Sequence, residues 1–225
     1  MIFPIGDDNI ERGHWPLFSY ALMIINIGVF IFQSGMAEGD YASFVYDYGV
    51  IPHEIIRGID LTTLFTSVFL HGSWLHLAGN MLYLWIFADN IEATVGNLRF
   101  LVFYLLGGLI AGLAHVLIDP ASGIPTIGAS GAISAVMGAY IVMFPHSRVK
   151  MLFILFLSVF YIPSWLFLGF WFIQQTISGM GALGLSATNG GGVAWWAHIG
   201  GFVFGLAAGW RFRKKFVHTK PHRVY

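Results

Sequence analysis

The chain has 225 residues, of which 57% are apolar and only 10% charged, and its formal net charge is zero. Soluble domains carry about 25% charged residues, so this composition excludes an ordinary soluble domain and points to a membrane protein. With no cysteine there can be no disulfide, thiol nucleophile or thiolate metal site, and the balanced charge gives no footprint for a nucleic-acid partner.

Residues 1–16 carry Asp7, Asp8 and Glu11 before the first apolar run, unlike the basic start of a cleaved signal peptide. A membrane span needs about 20 apolar residues to cross about 30 Å of hydrocarbon. On that criterion, spans are predicted at roughly 17–34, 72–90, 98–118, 128–144, 151–177 and 193–211, followed by a basic tail over 212–225. The expected architecture is all-α: a six-transmembrane-helix bundle over 17–211. The first outer loop, rich in aromatic residues such as Tyr41, Phe44, Tyr46 and Tyr48, is expected to lie in the interface.

Charge sets the direction. Arg211, Arg213, Lys214, Lys215, Lys220 and Arg223 follow the last span, with Arg148, Lys150 and Arg99 on the same side. The opposite loops hold Arg57 against Glu38, Asp40, Asp47, Glu54, Asp60 and Asp119. The positive-inside bias puts both termini in the cytoplasm. With no evident presequence, the expected location is a bacterial inner membrane, with the site open to the periplasmic side.

Three spans are imperfect, and such spans are where membrane proteins keep their sites. The second contains His76 and Asn80, the fourth is short, and the fifth contains Pro163. Spans two, four and six all enter from the outer side, which brings His76, Ser130 and His198 to one depth. Span six carries the small-residue stripe Gly201, Gly205, Gly209, with His198 three residues earlier on the same face. Span four carries Ser130, Ser134 and Gly138 at spacing four. Small residues let facing helices approach closely, so hydroxyl and imidazole can meet. From Ser130 to Pro145 is about 22 Å at 1.5 Å per residue, short of the hydrocarbon thickness. The preceding segment 119–125 has two prolines and a glycine and cannot be regular helix. Such backbone at membrane depth must be covered by protein or line a wet cavity. Ser130 would then sit at a helix N-terminus whose N–H groups favour a developing anion. His76 and Asn80, about 40° apart on the helical wheel, can aim at one point, as oxyanion donors should. His71 and His76 are about 140° apart, poorly placed to share a metal, and no cofactor is implied.

The elements His71-x4-His76-x3-Asn80, Gly128-Ala129-Ser130-Gly131 and Ala197-His198-Ile199-Gly200-Gly201, in this order, resemble the rhomboid family of intramembrane serine proteases over about residues 15–211. The resemblance implies a Ser130–His198 dyad cleaving a peptide bond in or beside a substrate's transmembrane helix. It also implies an oxyanion held by the Ser130 N–H, His76 and Asn80, with Gly128 admitting close backbone approach and His71, Ser134 and Gly201 in support. The implied partners are transmembrane substrates and membrane lipid. The chain departs from the pattern in lacking a Trp-Arg pair in residues 35–61. It also has Ser134 where some members place an aromatic ring against the histidine, and a Ser134 hydrogen bond to the ring is the alternative. No acidic third member is evident, since Asp89 lies at the far end of span two and Asp119 in a loop, which leaves histidine orientation to packing.

Other features carry lesser expectations. Loop 178–192, with six glycines and no charge, is read as a mobile cap, and Pro163 as a weak point for a lateral gate. His115 is expected to make a structural hydrogen bond, and His53 and the tail histidines to be solvated. The rival classes are a small transporter and an inactive rhomboid-like protein that binds transmembrane clients. The chain has no buried carboxylate suited to proton coupling and no HExxH. Ala132 breaks the GxSxG pattern of soluble hydrolases.

Overall fold

The computed structural model describes residues 2–8, 14–182 and 194–217. It is 72% helical, which fits an all-α membrane protein. Helix α1 (Leu17–Ser34) is followed by a long connection containing α2 (Glu38–Tyr48), α3 (Pro52–Ile56) and α4 (Thr63–Thr66). Helices α5 (Trp74–Val95) and α6 (Asn97–Ile118) come next, then the shorter α7 (Ser130–Met143), α8 (Ser164–Ala182) and α9 (Trp195–Phe212). Among the described residues, α1 and α6 meet the length and hydropathy of a membrane span, with mean hydropathies of 1.8 and 2.3. No residue of α2 is buried, so it lies on the outside of the bundle.

Helix α7 occupies the centre. It is buried continuously from Gly131 to Tyr140 because α5, α6, α8 and α9 all pack around it. Its small side chains, Gly131, Ala132, Ser134, Ala135, Gly138 and Ala139, make that crowding possible. Contrary to the expectation that no carboxylate is buried, Glu92 is fully buried and ties α1 to α5: it accepts from the Phe18 and Ser19 amides, each at 2.8 Å, and from Ser19 Oγ at 2.6 Å. An anion at the first turn of α1 satisfies orphan N–H groups and complements the helix dipole.

The expected fifth span, 151–177, is not one helix. Its first part belongs to a three-stranded antiparallel sheet in the order β1 (Ile2–Asp7), β2 (Arg148–Phe153), β3 (Ser158–Pro163). A tight turn at Ile154–Phe156 joins β2 to β3, and α8 begins only at Ser164. The apolar run Leu152–Phe160 reads as a span by hydropathy, but apolarity alone does not separate strand from helix, and its β-branched and aromatic residues suit a strand. Pro163 therefore kinks no helix. It ends β3, and the chain turns directly into α8, anchored by Ser164 Oγ donating to the Phe144 carbonyl at 2.6 Å. The hairpin tip exposes Ile154, Leu155, Phe156 and Leu157 together, an apolar surface suited to a bilayer.

Strand β1 is fastened to α7 through Asp7, whose carboxylate accepts from the Tyr140 hydroxyl and from Asn90 Nδ2 at 2.8 Å. Burial pushes the Asp7 carboxyl up from 3.8 to about 7; the Tyr140 hydrogen bond opposes the rise, and the Asp89 charge adds to it. A carboxyl raised in the folded state holds a proton that the unfolded chain has released above about pH 4. The stability it allows is therefore full below that value and declines as pH rises through about 7. Melting temperatures across this window are expected to fall with pH in wild type and to lose that slope in Asp7→Asn. Identical slopes would remove Asp7 as the cause.

Candidate active site

The connection after α6 returns to the bundle as non-helical backbone. Val50 and Thr126 exchange amide hydrogen bonds at 3.0 and 2.8 Å, and the Gly128 N–H donates to the Ser67 carbonyl at 2.9 Å. Gly128 has φ +126°, a region that side chains rarely enter. A Cβ there would lie 2.8 Å from Cε1 and Nε2 of His76. Glycine is thus required twice, by conformation and by the imidazole against it. Two residues later, half-buried Ser130 opens α7.

Helix α9 meets α7 backbone to backbone. A Cβ added at Gly201 would fall on the carbonyl oxygen of Gly131, and one at Gly205 on that of Ala135; Gly209 sits against Ala139. This closeness carries His198 to the serine, and Nε2 of His198 is 2.8 Å from Oγ of Ser130. The imidazole is buried, between Trp171 at 5.9 Å and the edge of Trp195 at 6.3 Å, centroid to centroid.

The other ring nitrogen is also held. Gln175 of α8, itself buried, places Oε1 2.7 Å from Nδ1 of His198. Gln175 Nε2 donates to Oε1 of Gln174, so the amide oxygen is the atom left for the ring. A carbonyl oxygen only accepts, so Nδ1 carries the proton and Nε2 presents its lone pair to the Ser130 hydroxyl. The expectation that packing alone orients His198 is thus corrected. Ser134 does not supply the bond either: its Oγ donates to the Ser130 carbonyl at 2.6 Å, the back-bonding open to a serine inside a helix. Its small size still matters, because Gly201 packs beside its Cβ.

Helix α5 adds two donors. Ser73 caps it, accepting from the His76 N–H at 3.1 Å. Nδ1 of His76 accepts a long 3.4 Å bond from the Gly72 N–H, which makes Nε2, on the side of Gly128, the protonated nitrogen. Asn80 is buried one turn on, and its Nδ2 has no partner among the described residues. An unpartnered buried donor is costly, and one beside Gly128 is suited to an incoming oxygen. His71 is fully buried with its ring 5.1 Å from that of His76; its backbone is pinned by the Gln33 side chain at 3.1 and 3.3 Å. No group of three potential metal ligands occurs among the described residues.

A cavity of about 30 Å³ opens beside Ser130, lined also by Thr126, Gly128 and His115, and one water needs only about 10–15 Å³ of such volume. His115 is thus a wall of this cavity. Its Nδ1 has no partner among the described residues. His53 is half-buried, with Nδ1 3.3 Å from the Ser122 carbonyl, and not solvated as expected. The glycine-rich cap falls partly in α8, which runs to Ala182; its remainder and the tail histidines lie outside the described residues. The sequence reading missed Gln175. Its signal was Gln174-Gln175 inside an apolar helix, hidden by the misplaced start of that helix.

A family model of the rhomboid domain matches residues 59–215. The chain belongs to the rhomboid family. It is 26% identical over 210 residues to rhomboid protein 1, mitochondrial, of Saccharomyces cerevisiae, covering 91% of this chain and 56% of that protein. It is 38% identical over 96 residues to the mouse presenilin-associated rhomboid-like protein, mitochondrial, covering 42% of this chain and 25% of the relative. Rhomboid-like protein 11, chloroplastic, of Arabidopsis thaliana is 29% identical over 155 residues, covering 66% and 51%. The chain thus spans little more than half the length of these relatives at most. These relatives are named as mitochondrial and chloroplastic proteins, which overturns the expected bacterial location with its cytoplasmic termini and periplasmic site. That expectation rested on where the chain starts and on a charge bias, and neither identifies the compartment.

Proposed function

We propose that the chain is an intramembrane serine endopeptidase that cleaves transmembrane proteins in or near their spanning helix. The observation that carries this reading is the 2.8 Å contact between Ser130 Oγ and His198 Nε2, with Nδ1 held by Gln175. In this mechanism Ser130 Oγ attacks the scissile carbonyl while His198 Nε2 takes its proton. The oxyanion is held by the Ser130 N–H, His76 Nε2–H and Asn80 Nδ2. The tetrahedral intermediate collapses, His198 returns the proton to the leaving amine, and a water from the cavity beside Ser130 hydrolyses the acyl-enzyme. Gln175 keeps the imidazole in the tautomer that can accept, a role asparagine takes in Cys-His-Asn sites. Helices α1, α5, α6, α7, α8 and α9 are read as six spans of a membrane domain over 17–211, between an N-terminal segment and a basic tail. The membrane is read as an organellar inner membrane, after the relatives.

The test is to incubate purified protein with candidate single-span proteins and sequence the fragments. Cuts within or beside the spanning helix support the proposal, and no cut in any substrate counts against it. Alanine at His76 or Asn80 is expected to lower kcat by about 10²–10³-fold each. An undiminished rate in the double variant would reject the oxyanion role. Gln175→Leu is expected to lower kcat by about 10–10²-fold with KM near wild type, and Gln175→Glu, which restores an acceptor, to recover most of it. Equal losses in both variants would make Gln175 a packing residue only.

A further inference from the structure

At the end of the bundle away from Ser130, α6 and α9 enclose a second groove of about 450 Å³. Its mouth carries Arg99, Arg211 and Lys215, and its depth is lined by Val102, Leu106, Phe204 and Ala208. From Leu98 to Leu106 the helix rises about 12 Å, so the crevice runs from a charged rim well into the apolar zone. A π-helical segment, Arg213–Val217, continues α9 and places Phe216 beneath both the Arg99 guanidinium and the Lys215 ammonium, each 5.4 Å from the ring centroid. Arg99 gives one nitrogen to the Val95 carbonyl at 3.1 Å, and the fork of a guanidinium leaves further donors for a phosphate. Among the described residues, Arg99 and Arg211 make no ion pair and no carboxylate lines the groove.

Cations at the rim of an apolar crevice between membrane helices complement a molecule with an anionic head and a hydrocarbon tail. We propose that this groove binds one anionic phospholipid, its phosphodiester on Arg99, Arg211 and Lys215 and an acyl chain between Val102 and Phe204. The site is independent of proteolysis and would stand if Ser130 proved inert.

The experiment is native mass spectrometry of the full chain with phosphatidylglycerol and phosphatidylcholine at equal mole fraction. Phosphatidylglycerol is expected to be retained at one per chain and phosphatidylcholine lost. Arg99→Gln and Arg211→Gln should each weaken phosphatidylglycerol retention by about fivefold. Arg148→Gln, which removes the cation paired with Asp8 at 3.0 Å, should leave it unchanged. Val102→Trp fills the crevice without altering a charge and should expel the lipid, which decides the matter if an arginine variant fails to fold. Equal retention of the two lipids would overturn the proposal. So would unchanged retention in the double arginine variant, or displacement by excess inorganic phosphate, which would make the site a reader of phosphate alone.

Discussion

Ser130→Ala is expected to abolish labelling by a fluorophosphonate and to lower peptide-bond turnover by about 10⁴-fold or more, as in sites where nucleophile and base act as a unit. The expectation rests on geometry: Oγ lies 2.8 Å from the only ring nitrogen of His198 that can accept its proton. His198→Ala should abolish turnover almost as completely, because the hydroxyl then has no base within reach. Ser130→Ala keeps the α7–α9 contact and should melt like wild type, whereas His198→Ala empties a buried site beside Trp171 and should melt lower while remaining folded. Equal labelling of wild type and Ser130→Ala would end the nucleophile assignment. A wild type that neither labels nor cleaves would favour a protein that only holds transmembrane clients.

Gly205→Val is expected to destabilise the fold severely. A Cβ at that position falls on the carbonyl oxygen of Ala135, and the neighbouring carbon atoms of Ala135 are within 2.9 Å. Overpacking costs about 1–3 kcal/mol where a side chain can yield. Here the obstacle is backbone in the centre of the bundle, so the loss should reach the upper end of that range or exceed it. Separating α7 from α9 also draws His198 away from Ser130, so labelling should fall in parallel. Gly169 is the control. It lies in α8 with nothing within 4 Å of its would-be Cβ, and Gly169→Ala should raise stability by about 0.5–1 kcal/mol. A Gly205→Val protein that melts like wild type would mean that the two backbones do not touch.

The meeting of Ser130 and His198 was readable because its determinants are local and redundant. Ser130 and His198 each sit at the head of a small-residue stripe, and two such stripes at equal depth have few ways to pack. His76 and Asn80 were readable for a similar reason, one turn apart on a single helix. Other features depend on partners distant in sequence. The β2–β3 hairpin has the hydropathy of a span, and only its pairing with β1 makes it a sheet. Ser134 was free by spacing to bond the ring, and it donates instead to the carbonyl one turn back at 2.6 Å. Gln175 reaches His198 only because α8 starts at Ser164 and not a dozen residues earlier.

The amino-acid sequence alone therefore determined that this chain belongs in a membrane and which hydroxyl and imidazole could meet, because hydropathy and helical spacing are properties of neighbouring residues. The tertiary structure decided which tautomer the imidazole holds, what orients it, and that the first strand is fastened to the central helix through Asp7. Those outcomes depend on the direction in which side chains from separate elements point once the backbones have packed, and spacing along one helix does not specify that direction.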